Sequence, residues 1–179
     1  SLPDFDPNDP VDANKPDRLN RITAGTFELG SVFKSFTFAM ALDSGKVKMT
    51  DSFDARSPIR VGRQLIHDSH PEGRFLTVPE IFRYSSNIGT AKMALAIGQE
   101  TQQDYLKKFG LSTKLKTELP EVATPQVPRR WSTAAQMTVA FGHGIAITPM
   151  QAAMGDVALV NGGNFLSPTF FPRTQEQAM

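Results

Sequence analysis

Ser31 and Lys34 are the residues from which a chemistry can be built. They stand three apart in Ser31-Val32-Phe33-Lys34, so on a helix their side chains share one face. Their surroundings are apolar: Val32, Phe33, Phe36, Phe38, Ala39, Met40, Ala41 and Leu42. Lys34 is therefore expected to point into the fold or into a cleft. Burial disfavours the ammonium and lowers its pKa. A neutral amine within hydrogen-bond reach of a serine hydroxyl can take its proton and make it a nucleophile. The competing reading makes Ser31 a helix N-cap and Lys34 a solvated side chain. Ser and Lys are common residues, so these four positions alone leave both readings open.

A second polar group follows in Tyr84-Ser85-Ser86-Asn87. Serine and asparagine are preferred helix caps, which is its plain reading. Its functional reading is Ser-x-Asn, with Ser85 as a proton shuttle and the Asn87 amide gripping a substrate carbonyl. The two motifs in this order, each at an expected helix start, are far more specific than either alone.

The elements that must position them are mostly helices. The first is expected from about Ser31 to Asp43-Ser44-Gly45, with Gly45 as its C-terminal cap and a nearly all-apolar, buried body. Residues 57–66 alternate around Gly62-Arg63 and predict a short hairpin. Thr77 and Glu80 form a capping-box pattern for a short helix. Further helices are expected over 88–97, closed by Gly98, over 101–109, closed by Gly110, and over 132–141. Thr148-Pro149-Met150-Gln151 is a strong start for a last helix, ended by Asn161-Gly162-Gly163. Residues 1–22 and 119–128 are proline-rich and read as loop.

Composition bounds the rest. The 179 residues carry 19 basic and 18 acidic side chains, a net charge of +1 that gives no reason to propose nucleic acid as a partner. With no cysteine, disulfides and thiolate metal sites are excluded. No apolar run approaches the length of a membrane span, and no signal segment opens the chain. The opening Ser1-Leu2-Pro3-Asp4-Phe5 and the polar tail after Arg173 read as the edges of a piece of something longer.

Other chemical groups weigh less. His67-Asp68-Ser69-His70 has two imidazoles and a carboxylate but no evident further ligand nearby, and a hairpin edge accounts for it. His143 lies between Gly142 and Gly144, where a structural role is expected, because a Ser–Lys pair needs no histidine. Glu118 and Glu121 are expected to be loop acids. The chemistry calls for no cofactor and no metal.

Taken together, several phrases resemble the transpeptidase domain of class B penicillin-binding proteins, of the division-specific type. They are residues 1–8, Gly30-Ser31-Val32-Phe33-Lys34, Tyr84-Ser85-Ser86-Asn87-Ile88-Gly89, Arg130-Trp131-Ser132, and Phe141-Gly142-His143-Gly144 through Gln151. The resemblance implies an α+β penicillin-binding protein/β-lactamase-like fold, here mainly its helical part. It implies a serine D,D-transpeptidase of septal cell-wall synthesis that acts on stem peptides ending in D-Ala–D-Ala and is acylated by β-lactams. By position it makes Ser31 the nucleophile, Lys34 the base, Ser85 the proton shuttle and Asn87 the substrate-binding amide. It also implies division-complex partners and a place at the periplasmic face of the inner membrane. Same-fold alternatives are a β-lactamase or a β-lactam sensor; an alternative of another class is a non-catalytic interaction fragment.

Two departures stand out. Leu29 sits where many relatives have proline, and no Lys-Thr-Gly occurs in the 179 residues. In the family that third motif lies on a strand that supplies an oxyanion-hole amide. Residues 1–179 are thus expected to be a partial transpeptidase domain, without that strand, the pedestal or the membrane anchor. Efficient β-lactam hydrolysis is not expected, because Glu118 to Glu121 lacks the asparagine of the deacylating motif.

Overall fold

The computed structural model describes residues 2–62 and 64–174. Arg63 of the expected hairpin turn, Ser1 and the last five residues lie outside them.

Proline shapes the entry. Pro10 and Pro16 each open a short 3-10 turn, Pro10–Asp12 and Pro16–Arg18, where a missing N–H costs nothing. The expected first helix begins later than Ser31. Gly30–Phe33 is a 3-10 turn, and helix α1 runs Lys34–Asp43. Gly45, at φ +66°, closes α1 as expected, its N–H donating to the Leu42 carbonyl at 3.0 Å. Burial of α1 is extensive but not complete: Phe36, Phe38, Met40 and Ala41 are in the core, while Leu42 is partly exposed.

Four short strands follow, β1 (Ser52–Asp54), β2 (Ile59–Val61), β3 (Gln64–Ile66) and β4 (Phe75–Thr77). β2 and β3 form the expected hairpin; β1 and β4, which periodicity did not reveal, pair antiparallel around it. Three residues per strand are too few for a readable alternation.

The remaining helices are α2 (Val78–Arg83), α3 (Asn87–Ile97), α4 (Gln99–Lys108), α5 (Thr133–Val139) and α6 (Pro149–Val160). Their caps were legible in sequence. Glu80 accepts from the Thr77 N–H at 2.9 Å. Thr148 accepts from Gln151 N–H at 3.1 Å, while the Gln151 side chain accepts from Thr148 N–H at 3.0 Å. Gly98, at φ +86°, ends α3 and starts α4 in one step. The fold is α+β, dominated by helices with two small antiparallel sheets.

Helix α3 is central, packed against α1, α4 and α5. Phe36, Met40, Ile81, Ile88, Met93 and Leu106 are fully buried around it. Two buried glutamines tie the helices: Gln136 donates to the Ala94 carbonyl at 2.6 Å, and Gln102 donates to the Gln136 carbonyl at 3.1 Å.

Residues 140–147 form a strap along the Ser31 turn. Thr37 Oγ1 donates to the Ala140 carbonyl at 2.7 Å. The Gly30 N–H donates to the Gly142 carbonyl at 3.3 Å, and Phe27 and Ile147 pair as a β-bridge. Gly142 sits at φ +80°, and a Cβ there would lie 2.2 Å from the Gly30 carbonyl oxygen. Both the conformation and the contact demand glycine. Gly142→Ala should therefore destabilise the fold by about 2 kcal/mol or more, read as a lower denaturation midpoint at unchanged m-value; an unchanged midpoint would show that the strap yields freely.

Candidate active site

Ser31 stands on the 3-10 turn, exposed, one residue past the Gly30–Gly142 contact. No side-chain cap bond is made at this turn, so the N-cap reading of Ser31 is not what the fold uses. One turn on, Lys34 is 2% exposed. The solvated-lysine reading is thereby excluded.

Lys34 Nζ donates to the Ser85 carbonyl at 2.5 Å and to Ser85 Oγ at 2.9 Å. The bond to Ser31 that the Ser-x-x-Lys reading calls for is not made among the described residues. Ser85 is the one non-glycine residue at positive φ (+53°) among those described. The left-handed backbone costs about 1–3 kcal/mol, and it turns both Ser85 oxygens onto the same amine. Burial pushes the Lys34 ammonium down from its ordinary 10.5 to about 8, while the Asp68 carboxylate pulls the other way. At pH 7 roughly a tenth of the amine is then unprotonated, against a few parts in ten thousand at the ordinary value.

Asn87 opens helix α3 and donates from Nδ2 to the His67 carbonyl at 3.0 Å. It lines a cavity of about 640 Å³ together with Gln64, His67, Glu28, Thr138 and His143. Ser86, between the two motif residues, is the actual cap of α3: its Oγ accepts from the Gly89 N–H at 2.9 Å. The Ser-x-Asn triplet thus serves as a cap and as a polar site at once, through different residues.

The structure also gives partners to groups that the sequence left as edge or loop residues, and to Glu28, which no motif marks. Asp68 is not a bare hairpin edge; it is buried and binds Ser86 and the Ile88 N–H. Glu28 accepts from the Gly144 N–H at 2.8 Å and pairs with His143 Nδ1 at 3.0 Å. These bonds hold the Glu28 carboxyl below its usual range, the His143 bond contributing most. His143 thus tethers the strap beside the Ser31 turn. Glu118 lies in another bonding set, with the Thr169 hydroxyl and, at 3.1 Å, the Phe170 N–H. No signal in local sequence marks Asp68 or Glu28, because their partners are 18 and 115 positions away.

The model for the penicillin-binding protein transpeptidase domain matches residues 1–178. The chain belongs to the penicillin-binding protein transpeptidase family. Over 163 residues it is 42% identical to a probable peptidoglycan D,D-transpeptidase FtsI of Caulobacter vibrioides, covering 91% of this chain and 28% of that protein. It is 34% identical to a probable peptidoglycan D,D-transpeptidase PenA of Neisseria flavescens, covering 94% of this chain and 42% of that one. Among solved structures, the transpeptidase domain of penicillin-binding protein 3 from Burkholderia pseudomallei superposes with a TM-score of 0.81 at 27% identity, covering 88% of this chain and 48% of that one. The chain therefore spans less than half the length of these relatives. The class B resemblance read from the motifs is borne out, as is the fold it implied.

In a penicillin-binding protein fold, the buried amine is the feature to measure. Lysine-labelled NMR of the folded protein should show one amine titrating with a midpoint near 8, absent in Lys34→Met. A Lys34 midpoint near the ordinary value would mean that the side chain reaches water.

Proposed function

We propose that these residues form the helical side of a serine D,D-transpeptidase active site, acylated by stem peptides ending in D-Ala–D-Ala and by β-lactams. One observation carries the proposal. Lys34, three residues after an exposed serine in this family's motif, is buried, bonded to Ser85 and depressed toward neutral pH. A surface lysine would be useless as a base at pH 7; this one is poised to act as one.

The steps follow from these groups. The Ser31 hydroxyl attacks the carbonyl carbon of the penultimate D-Ala, and its proton passes to the Lys34 amine. The bond to the terminal D-Ala nitrogen breaks, and that nitrogen leaves as an amine with a proton relayed from Lys34 through the Ser85 hydroxyl. An ester on Ser31 remains. The amine of a second stem peptide attacks the ester, returns the proton to Ser31 and leaves a cross-link. Asn87, on the rim of the cavity, would orient the stem-peptide backbone during both steps. With a β-lactam, the broken bond is the ring amide, and the leaving nitrogen stays attached.

Residues 1–179 would correspond to the helical part of the domain; the Lys-Thr-Gly strand, the pedestal and the membrane anchor are not among them. In the whole protein that strand would complete the oxyanion hole, where one donor is worth about 100- to 1000-fold in rate. Septal cell-wall synthesis, division-complex partners and the periplasmic face of the inner membrane complete the reading. They rest on the likeness to FtsI and PenA relatives. No helix among the described residues is long and apolar enough to cross a membrane.

Covalent labelling of the protein by a fluorescent penicillin tests the proposal. Ser31→Ala should abolish labelling and change stability by under about 1 kcal/mol, since Ser31 makes no cap bond. Lys34→Arg should slow acylation by about 100-fold or more, because a guanidinium cannot act as base. Undiminished labelling of Ser31→Ala would refute the assignment.

A further inference from the structure

Residues 67 and 68 hold three consecutive positions of the Ser85–Ile88 turn. The His67 carbonyl accepts from Asn87 Nδ2 at 3.0 Å. Asp68 accepts from Ser86 Oγ at 2.7 Å through one oxygen and from the Ile88 N–H at 2.9 Å through the other. The residue immediately before this clamp is Ser85, in its left-handed conformation with both oxygens on Lys34. A strained residue persists only where its neighbours fix it, and Asp68 holds Ser86 with one oxygen and Ile88 with the other.

Asp68 is 7% exposed and makes no ion pair with an arginine, lysine or histidine among the described residues. Burying a carboxylate without a paired cation is expensive. The N-terminus of α3 and two charge-assisted hydrogen bonds offset part of that cost. An asparagine could accept from Ile88 and donate to Ser86 at lower desolvation cost, so the clamp alone does not require a charge. The charge also bears on Lys34: Asp68 is hydrogen-bonded to Ser86, the chain neighbour of the Ser85 that accepts both Lys34 bonds, and from there its field opposes the effect of burial on the amine. Neither Asp68 nor Lys34 lines the cavity, whose titratable groups are His67, Glu28 and His143, and Glu28 is engaged by His143 and Gly144.

We propose that Asp68 is a positioning residue for the acylation chemistry: it clamps the turn that presents Ser85 and Asn87, and it sets a fixed negative charge near Lys34. This rests on the proposed function, in which Lys34 is the base. The negative charge raises the amine's hold on a proton and so sets the pH above which Lys34 is free to act as base. Nothing in the motifs announces this role, since Asp68 lies between two histidines that look like ligands.

The test is the pH dependence of acylation by a chromogenic β-lactam, in the wild-type protein, Asp68→Asn and Asp68→Ala. Asn keeps the shape and both contacts but removes the charge; Ala removes the clamp as well. The rate rises with pH as Lys34 loses its proton. Removing a nearby negative charge lowers the pKa of an ammonium, so the rising limb of Asp68→Asn should move to lower pH, by about half a unit or more. A residue that only holds the turn would lower the rate equally at every pH and leave the limb in place. Asp68→Ala should move the limb likewise and also lower the plateau rate about 10-fold below that of Asp68→Asn. A limb in Asp68→Asn that coincides with wild type overturns the electrostatic role. Equal plateaus for the two variants overturn the clamp. If Asp68→Ala does not fold, the limb of Asp68→Asn still decides the first, and Ser86→Ala, which removes one of the clamp's bonds, replaces it for the second with the same expected plateau loss. Labelling that survives Ser31→Ala would instead remove the proposed function itself, whatever Asp68 does.

Discussion

A lysine amine buried beside an exposed serine sets the terms for the segments around it. An ammonium inside a protein is unstable unless its protons find acceptors and its charge finds a counter-field. Here the acceptors are the carbonyl and hydroxyl of one residue, Ser85. The counter-field comes from Asp68. Burial nevertheless wins, and the amine becomes a weaker acid-binder than a surface lysine. In the proposed reaction that imbalance is useful, because a base must give its proton back near the pH at which it works.

Holding the arrangement falls to the helical core. Helix α1 carries Lys34 at its first position and buries Phe36 and Met40 below it. Helix α3 carries Asn87 and is anchored to α5 by Gln136, and α5 in turn is tied to α4 by Gln102, both side chains satisfying backbone carbonyls in the interior. Gly89 lies against Ile81 so closely that an added Cβ would come within 2.6 Å of it. This close packing of α2 on α3 fixes the short turn between them, where Ser85 and Ser86 sit. The strain at Ser85 is thus supported by contacts that have no chemical function of their own.

The strap from Ala140 to Ile147 does for Ser31 what residues 67 and 68 do for Ser85. It grips the approach to the serine at Phe27, Glu28, Gly30 and Thr37. Ser31 itself remains exposed on a 3-10 turn, free of the hydrogen bonds that would occupy its hydroxyl. Residues from both grips, Glu28, His143 and Gly144 with His67 and Asn87, line one cavity; Ser31, Lys34 and Ser85 are not among its lining residues.

Short-range pattern was enough to single out the Ser-x-x-Lys and Ser-x-Asn residues and to mark where most helices start and stop. Ser-x-x-Lys and Ser-x-Asn are local patterns, and caps such as Thr77/Glu80 and Thr148/Gln151 act over three residues. Glycines 45, 98 and 110 mark helix ends for equally local reasons. Such features are legible because chemistry and backbone geometry at short range fix them. The sequence could not show that helix α1 starts at Lys34 rather than Ser31, since a 3-10 turn and a first α-helical turn share their side-chain spacing. The two motifs together called for a Lys34 amine bonded to both Ser31 and Ser85, but they could not show that only the Ser85 bonds form, because that depends on how segments 51 positions apart meet. Strands β1 and β4 were invisible for a related reason: three residues acquire strand character only by pairing with each other across the hairpin. Asp68 was the largest surprise of this kind. Flanked by polar residues, it reads as surface, and only the packing of the hairpin against the start of α3 turns it inward and gives its carboxylate partners. Contacts that depend on distant segments meeting carry no local signature, and the tertiary structure alone decided them.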